Sequence, residues 1–190
     1  DEPELLKAEF EAIKRLHAEG LTNTHIMIPF VISPDEFRRA RNLAKEVNLP
    51  DSVKIGIMVE TPAAALVIED FCKEGIDFAS IGSNDLTQGV LEIDRGNTSL
   101  SHLYSEFHPA VLKLMEMMIK TCNRYDIESS ICGEAASNPE MVRILIRHGI
   151  RSVSANIDAV GKVRKVVAET EREILKEALR RINLDNRYNY

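Results

Sequence analysis

The stretch KIGIMVETP, residues 54–62, decides the fold class. Its first part is a short apolar run rich in Ile, Val and Met, which is typical of a strand covered on both faces. Thr61 and Pro62 follow at once. They indicate a helix start, because Thr is a good N-cap and Pro suits the first helical position. A strand that passes directly into a helix is the repeating unit of a parallel α/β fold.

The same pattern recurs on both sides of this stretch. Short apolar runs predict further strands over residues 25–30, 78–83, 129–133 and 152–156. An N-cap residue followed by Pro predicts several of the helix starts. The predicted helices run from Glu4 to Glu19, from Ser33, from Thr61, from His108 to Tyr125, from Asn138 to His148, and from Asp158 to about Ile182.

One helix followed by five strand–helix units predicts a parallel sheet. An open doubly wound sheet or part of a (β/α)₈ TIM barrel would fit. A closed barrel needs roughly 250 residues, so in the barrel case we expect three units to be missing at the N-terminal end. Two open sheet edges and an apolar inner face would then drive association into a homodimer, or into a rearranged assembly in which one chain covers the open edge of another. The final residues, 183–190, are predicted to be a polar tail.

Composition excludes several function classes. The net charge is −6, so a basic footprint for nucleic acid is absent, and no apolar run is long enough to span a membrane. The three cysteines include no C-x-x-C pair, which indicates a reducing, cytoplasmic compartment and argues against a disulfide framework or a cysteine zinc site. The chain also lacks the phosphate-loop, dinucleotide, zinc-protease and serine-hydrolase motifs.

Ligands of parallel α/β folds bind beyond the carboxyl ends of the strands, so the polar residues there are the candidates for function. Glu60 ends the second predicted strand and Asp85 closely follows the third. Two hard oxygen donors at neighbouring strand ends suit Mg²⁺. The alternative is that Glu60 only favours the dipole of the next helix and Asp85 caps a turn.

Three more polar side chains belong to the same rim. The Asn84 amide could donate to a phosphate or enolate oxygen, or serve only as a turn residue. The Cys132 thiol could exchange protons, although most cysteines are buried apolar residues. Arg95 lies in a glycine-containing loop and could clamp a phosphate, or be a solvated loop cation. The two remaining cysteines, Cys72 and Cys122, lie in helical patterns and are predicted to be core.

Five ordered motifs resemble those of the phosphoenolpyruvate-utilising enzymes. They are IPF at residues 28–30, GIMVETPAA at 56–64, SIGSNDLTQ at 80–88, DRGN at 94–97 and ICGE at 131–134. The resemblance runs from about Glu4 to Ile182. It implies that residues 1–182 are the C-terminal part of a (β/α)₈ TIM barrel, with about five βα units present, which binds phosphoenolpyruvate or pyruvate.

The resemblance also implies roles for the rim residues. Glu60 and Asp85 would hold Mg²⁺ and contact substrate. Asn84 and Arg95 would contact the phosphate of phosphoenolpyruvate, and Cys132 would exchange a proton with its C3 carbon. Two positions depart from the family pattern: Gly89 stands where we expect a larger residue, and Glu134 where synthases often have Gln.

Within the family, the segments at residues 71–77 and 152–160 are most similar to archaeal-type synthases, ATP-dependent enzymes of gluconeogenesis. Enzyme I of the sugar phosphotransferase system is an alternative that DRGN and SHLY, residues 94–97 and 101–104, fit well, and pyruvate phosphate dikinase is another. A synthase implies upstream phosphohistidine and nucleotide-binding domains in the parent chain, and a homodimer. A hypothesis of a different class is a non-catalytic dimerisation fragment, and we expect the 190-residue chain alone to be inactive.

Overall fold

The computed structural model describes residues 2–188, and the side chains of residues 2–182. In this part of the chain, helices and strands alternate as the sequence predicts, and no helix there is both long and apolar enough to cross a membrane. The elements are α1 (Pro3–Ala18), β1 (Ile26–Ile28), α2 (Pro34–Glu46), β2 (Ile55–Val59), α3 (Pro62–Leu66), α4 (Ile68–Glu74), β3 (Phe78–Gly82), α5 (Ser83–Leu91), α6 (Pro109–Arg124), β4 (Glu128–Cys132), α7 (Pro139–His148), β5 (Ser152–Val153) and α8 (Val160–Tyr188).

The five strands form one parallel sheet in the order β1-β2-β3-β4-β5. Each strand therefore pairs with the next one along the chain. A doubly wound sheet reverses its strand order at a switch point, whereas sequential order is that of a barrel wall. The register aligns Gly82 of β3 with Cys132 of β4, so the ends of neighbouring strands meet at one rim. The predicted α/β fold with barrel-type strand order is confirmed.

One face of the sheet packs against the helices. Ile57, Val59, Ile81 and Ile131 are fully buried there, in the same cluster as Phe71 of α4. Burying one such side chain contributes about 1.5–3 kcal/mol relative to leaving it exposed. The apolar residues at every second position of the strands therefore provide much of the stability of this layer.

The predicted helix starts at Thr61 and Asn138 are confirmed by their hydrogen bonds. The Thr61 hydroxyl accepts from the Ala64 N–H at 3.1 Å, and Asn138 Oδ1 accepts from the Glu140 N–H at 2.9 Å. Each cap is followed by Pro at the first helical position. These contacts are local in sequence, which is why their residues could be identified without a structure.

The sheet face away from the helices carries both apolar and polar side chains. Strand alternation places Met58, Ser80, Ser130 and Cys132 on that face, and the Cys132 Sγ lies 3.8 Å from the Met58 Sδ. Ser80 and Ser130 are polar, whereas Met58 and Phe78, whose ring lies over Gly56 of β2, are apolar. The inner face is therefore mixed in polarity, and the expected association into a homodimer stays a prediction.

Two helices also differ from prediction. Residues Ser83–Leu91, whose start was expected to be a turn, form α5 directly after β3. Asp158 does not begin α8 but lies in a 3₁₀ turn, residues 157–159, that precedes it. The backbone of α8 continues past Ile182 into the predicted polar tail. The end of that tail, residues 189–190, lies outside the described residues.

Candidate functional site

The two candidate carboxylates share one pocket at the carboxyl ends of the strands. Glu60 directly follows β2, and Asp85 lies in the first turn of α5. Both line a pocket of about 360 Å³, together with Phe30 and Gln88. The first turn of a helix is a favourable place for an anionic side chain. The structure therefore places two hard oxygen donors on one pocket at the rim.

The Glu60 carboxylate is held in a buried position. It is 7% exposed, and its Oε1 accepts a hydrogen bond of 2.8 Å from the Phe30 N–H. Its Oε2 lies against Gly82, at which an added Cβ would come within 2.9 Å of that oxygen. Burial raises the pKa of the Glu60 carboxyl; the hydrogen bond from Phe30 opposes this, and the charge of Asp85 raises it further. The two carboxylates are thus close enough to repel each other.

These residues fit a hard divalent cation. Within residues 2–182, Glu60 Oε2 accepts no hydrogen bond, and a cation between Glu60 and Asp85 would offset their repulsion. No cluster of three or more His, Cys, Asp or Glu side chains suited to a metal occurs among the described residues. Mg²⁺ commonly takes one or two carboxylates and completes its octahedron with water and substrate oxygens, so a two-carboxylate site agrees with its chemistry.

The Cys132 thiol is half-buried on the same inner face. Its Sγ lies 3.5 Å from the Ile81 carbonyl oxygen. Burial raises the pKa of the Cys132 thiol, against an opposing hydrogen bond with Ser80. The negative charges of Glu60 and Asp85 raise this pKa further. The thiol is therefore protonated at neutral pH and is electrostatically coupled to both carboxylates.

The end of β4 is fastened to the start of α5. The Ser83 hydroxyl donates to the Cys132 carbonyl oxygen at 3.1 Å. Gly133 follows with a φ of +86°, and a Cβ there would lie 2.6 Å from the Ser83 Oγ. Only a residue without a side chain fits this close approach, because φ is in the left-handed region and no space remains. This contact brings Cys132 next to the turn of α5 that carries Asn84.

Asn84 connects an arginine and a glutamate. In the amide orientation that satisfies both neighbours, it accepts from Arg95 Nη1 at 3.1 Å and donates to Glu106 Oε1 at 3.0 Å. The Tyr104 hydroxyl donates to the backbone carbonyl oxygen of Asn84 at 3.0 Å. The backbone N–H of Arg95 donates to Gln88 Oε1 at 3.4 Å. The loop after α5 therefore folds back onto it and presents the exposed Arg95 at the rim.

Several residues of this site were not singled out by sequence reasoning. Glu106 has no distinguishing pattern around it, and Ser83 and Tyr104 were noted only as parts of motifs that carry a resemblance. Gly89, where a larger residue was expected, lies against Pro62, and an added Cβ would be 2.9 Å from its Cδ. A larger side chain would not fit there. The remaining cysteines, Cys72 and Cys122, are buried in the core as predicted.

Comparison with known proteins gives the family. Residues 1–172 match the family described as "PEP-utilising enzyme, PEP-binding domain". The chain belongs to this family of phosphoenolpyruvate-utilising enzymes. A probable phosphoenolpyruvate synthase of Methanocaldococcus jannaschii is 55% identical over 95% of this chain and 15% of its own length. The phosphoenolpyruvate synthase of Pyrococcus furiosus is 54% identical over 92% of this chain and 22% of its own length.

More distant relatives include a phosphoenolpyruvate-protein phosphotransferase of Buchnera aphidicola, which is 34% identical over 100% of this chain and 34% of its own length. This member of the phosphoenolpyruvate-utilising family therefore spans only a minor part of the curated relatives that it matches. Among solved structures, a citrate lyase from Burkholderia xenovorans has a TM-score of 0.58 at 18% identity, covering 82% of this chain and 54% of that chain. That likeness concerns the fold alone.

Proposed function

We propose that this chain is the phosphoenolpyruvate- and pyruvate-binding domain of a phosphoenolpyruvate synthase. That enzyme would convert ATP, pyruvate and water into phosphoenolpyruvate, AMP and phosphate. The observation that carries the proposal is the shared rim: Glu60 and Asp85 line one pocket, and their charges raise the pKa of the nearby Cys132 thiol. Identities of 53–55% with archaeal relatives named as synthases, or probable synthases, support it over other members of the family.

In this proposal, Glu60 and Asp85 hold Mg²⁺. The ion supplies Lewis-acid stabilisation of negative charge that develops on the substrate oxygen. Burial of Glu60 and its hydrogen bond from Phe30 keep one ligand in place before the ion arrives. Pre-positioned ligands matter because the charge then develops without a rearrangement of the protein.

Cys132 is proposed to move the proton at C3. When pyruvate forms, the neutral thiol gives its proton to the C3 carbon of the enolate. In the opposite direction the thiolate takes a proton from the methyl group of pyruvate. The raised pKa of Cys132 suits the donor role, and the protonated thiol adds no third negative charge beside the carboxylates. Asn84 and Arg95 are proposed to contact the phosphate, since an exposed guanidinium can pair with two phosphate oxygens.

The proposal extends to the rest of the protein. The curated relatives are several times longer than this chain, which supports upstream phosphohistidine and nucleotide-binding domains in the parent chain. A homodimer, a cytoplasmic location and a role in gluconeogenesis belong to the same proposal; three free thiols suit a reducing compartment.

A second candidate is a phosphoenolpyruvate-protein phosphotransferase. It is favoured by the match to the Buchnera relative over 100% of this chain. The two candidates share the C3 proton transfer and differ in the phosphoryl partner, which is ATP through a phosphohistidine in one case and a small carrier protein in the other.

The test is an assay of the full-length protein with Mg²⁺. We expect phosphoenolpyruvate to form from pyruvate only when ATP is supplied. Phosphorylation of a carrier protein by phosphoenolpyruvate without ATP would assign the second candidate instead. A full-length protein that neither forms phosphoenolpyruvate nor exchanges the methyl protons of pyruvate would support the non-catalytic dimerisation hypothesis.

A further inference from the structure

Phe30 has a backbone conformation that is unusual for an aromatic residue. Its φ is +50°, in the left-handed region that Gly, Asn and Asp adopt most readily and that is an outlier for bulky side chains. The ring does not explain this conformation by packing, because Phe30 is 62% exposed. A strained residue at the rim of a site, with its side chain largely in water, calls for an explanation through its backbone.

The backbone of Phe30 has one specific contact. Its N–H donates to Glu60 Oε1 at 2.8 Å, and this is the sole hydrogen bond that the Glu60 carboxylate accepts within residues 2–182. The φ of a residue sets how its own N–H is directed relative to the chain that follows. The left-handed φ of Phe30 is therefore coupled to the direction of the N–H that reaches Glu60.

The neighbouring chain holds this conformation from the other side. Val31 is 2% exposed, and its carbonyl oxygen accepts from the Thr61 hydroxyl at 2.9 Å. The Ile32 N–H donates to the Glu36 carboxylate at 2.7 Å. Strained backbone persists where its surroundings fix it on both sides. Phe30 is fixed in this way, because the residues that follow it are tied to α2 and to the start of α3.

We propose that Phe30 is a positioning residue for Glu60. Its left-handed backbone directs its N–H to Oε1, which fixes the rotation of the carboxylate and leaves Oε2, beside Gly82, free for a cation. This rests on the proposed role of Glu60 as a metal ligand. The contribution of residue 30 then comes from its backbone, and side chains that tolerate the left-handed region will preserve it.

The experiment is a series of variants at residue 30 in the full-length protein. Phe30→Asn and Phe30→Gly tolerate a positive φ, whereas Phe30→Val does not, because β-branched residues are the least compatible with that region. Mn²⁺ binding, measured by electron paramagnetic resonance, is the first readout. We expect the Asn and Gly variants to bind Mn²⁺ within twofold of wild type and the Val variant to bind at least fivefold more weakly.

Two results would overturn the proposal. If Asn and Gly weaken Mn²⁺ binding as much as Val, the ring is what matters. If the Val variant binds as wild type, neither backbone nor ring positions the ligand. Should the Val variant fail to fold, Phe30→Ala replaces it, with an intermediate loss of affinity expected.

A second readout needs no metal and separates this proposal from the metal site itself. In the metal-free protein, hydrogen exchange at the amide of residue 30 should be slow in wild type and in Phe30→Asn. It should become at least tenfold faster in Glu60→Ala and in Phe30→Val. If wild type binds no Mn²⁺ but shows this exchange pattern, the metal site is wrong and the positioning of Glu60 by Phe30 stands. Fast exchange in wild type would refute the positioning.

Discussion

Replacing Gly133 by Ala will show how tightly the end of β4 is fixed against α5. Gly133 has a φ of +86°, and an added Cβ would lie 2.6 Å from the Ser83 Oγ and 3.3 Å from the side-chain amide of Asn84. The Ser83 hydroxyl cannot move away freely, because it donates to the Cys132 carbonyl oxygen at 3.1 Å. The substitution therefore imposes a backbone cost and a steric cost at once.

The two costs can be estimated separately. An alanine in the left-handed region costs about 1 kcal/mol after the smaller conformational freedom of the unfolded chain is taken into account. Forcing an extra carbon into a packed contact costs about 1–3 kcal/mol. We therefore expect Gly133→Ala to lower the free energy of unfolding by about 2–4 kcal/mol. For a chain of this size that corresponds to a fall in Tm of roughly 5–15 °C.

Gly20→Ala is the matched control. Gly20 has a nearly equal φ of +92° but nothing within 4 Å of the added Cβ, so only the backbone cost applies. Denaturant unfolding of both variants should differ by about 1–3 kcal/mol, which is the steric part. Adding Ser83→Ala to Gly133→Ala should recover some of that difference. If Gly133→Ala costs no more than Gly20→Ala, the tight contact between β4 and α5 is refuted.

Three further predictions concern the site. Cys132→Ser should abolish proton exchange at the methyl group of pyruvate, because a hydroxyl is a far weaker acid than a thiol. Phosphoryl exchange between ATP and the upstream histidine should survive. Near-normal methyl exchange in the variant would mean that Cys132 has only a packing role. Burial and the charge of Asp85 raise the pKa of Glu60 in the folded state, so its ionised form destabilises the fold. At pH values above that folded pKa, Glu60→Gln should therefore raise the Tm of the metal-free protein. The gain should disappear at pH values below the unfolded pKa near 4.3. Melting curves recorded with chelator across this pH range test the prediction, and a gain in Tm that does not depend on pH contradicts it. Glu106→Ala should weaken phosphoenolpyruvate binding about fivefold, since the lost hydrogen bond to Asn84 is worth about 1 kcal/mol. Glu106→Gln still offers an acceptor to Asn84 and should bind phosphoenolpyruvate normally. Calorimetric titration of both variants tests this, and equal weakening would mean that the charge of Glu106 matters.

The features that the sequence predicted correctly depend on local patterns. The strand at residues 54–60 was found one residue shorter at each end, as Ile55–Val59, and its helix start at Thr61 was confirmed. Apolar runs, caps and Pro positions act within a few residues, so they are readable in one chain. Helix α5 was missed because Gly82, Ser83 and Asn84 favour turns locally. It forms because tertiary packing buries Leu86 and Thr87.

The contacts that organise the site could not be predicted in the same way. Phe30 and Glu60 are distant in sequence and meet because β1 and β2 are parallel neighbours. Asn84 and Glu106 meet because the loop after α5 folds back onto it. Rim positions alone could nominate Glu60, Asp85 and Cys132, since the carboxyl ends of parallel strands converge. The residues that orient those side chains are brought to them by strand register and loop packing, and neither can be predicted from a single sequence.

The two faces of the sheet have different roles: the helix side stabilises the domain, and the other side carries the candidate site. On the helix side, buried residues such as Ile57 and Ile131 stabilise the domain without regard to any ligand. On the other face, the repulsion between Glu60 and Asp85 and the left-handed backbone of Phe30 both work against stability in the absence of a cation. Such costs persist at sites where they prepare ligand binding. Substitutions on the helix side should therefore lower stability and activity together, whereas relieving the site, as in Glu60→Gln, should raise stability and remove function.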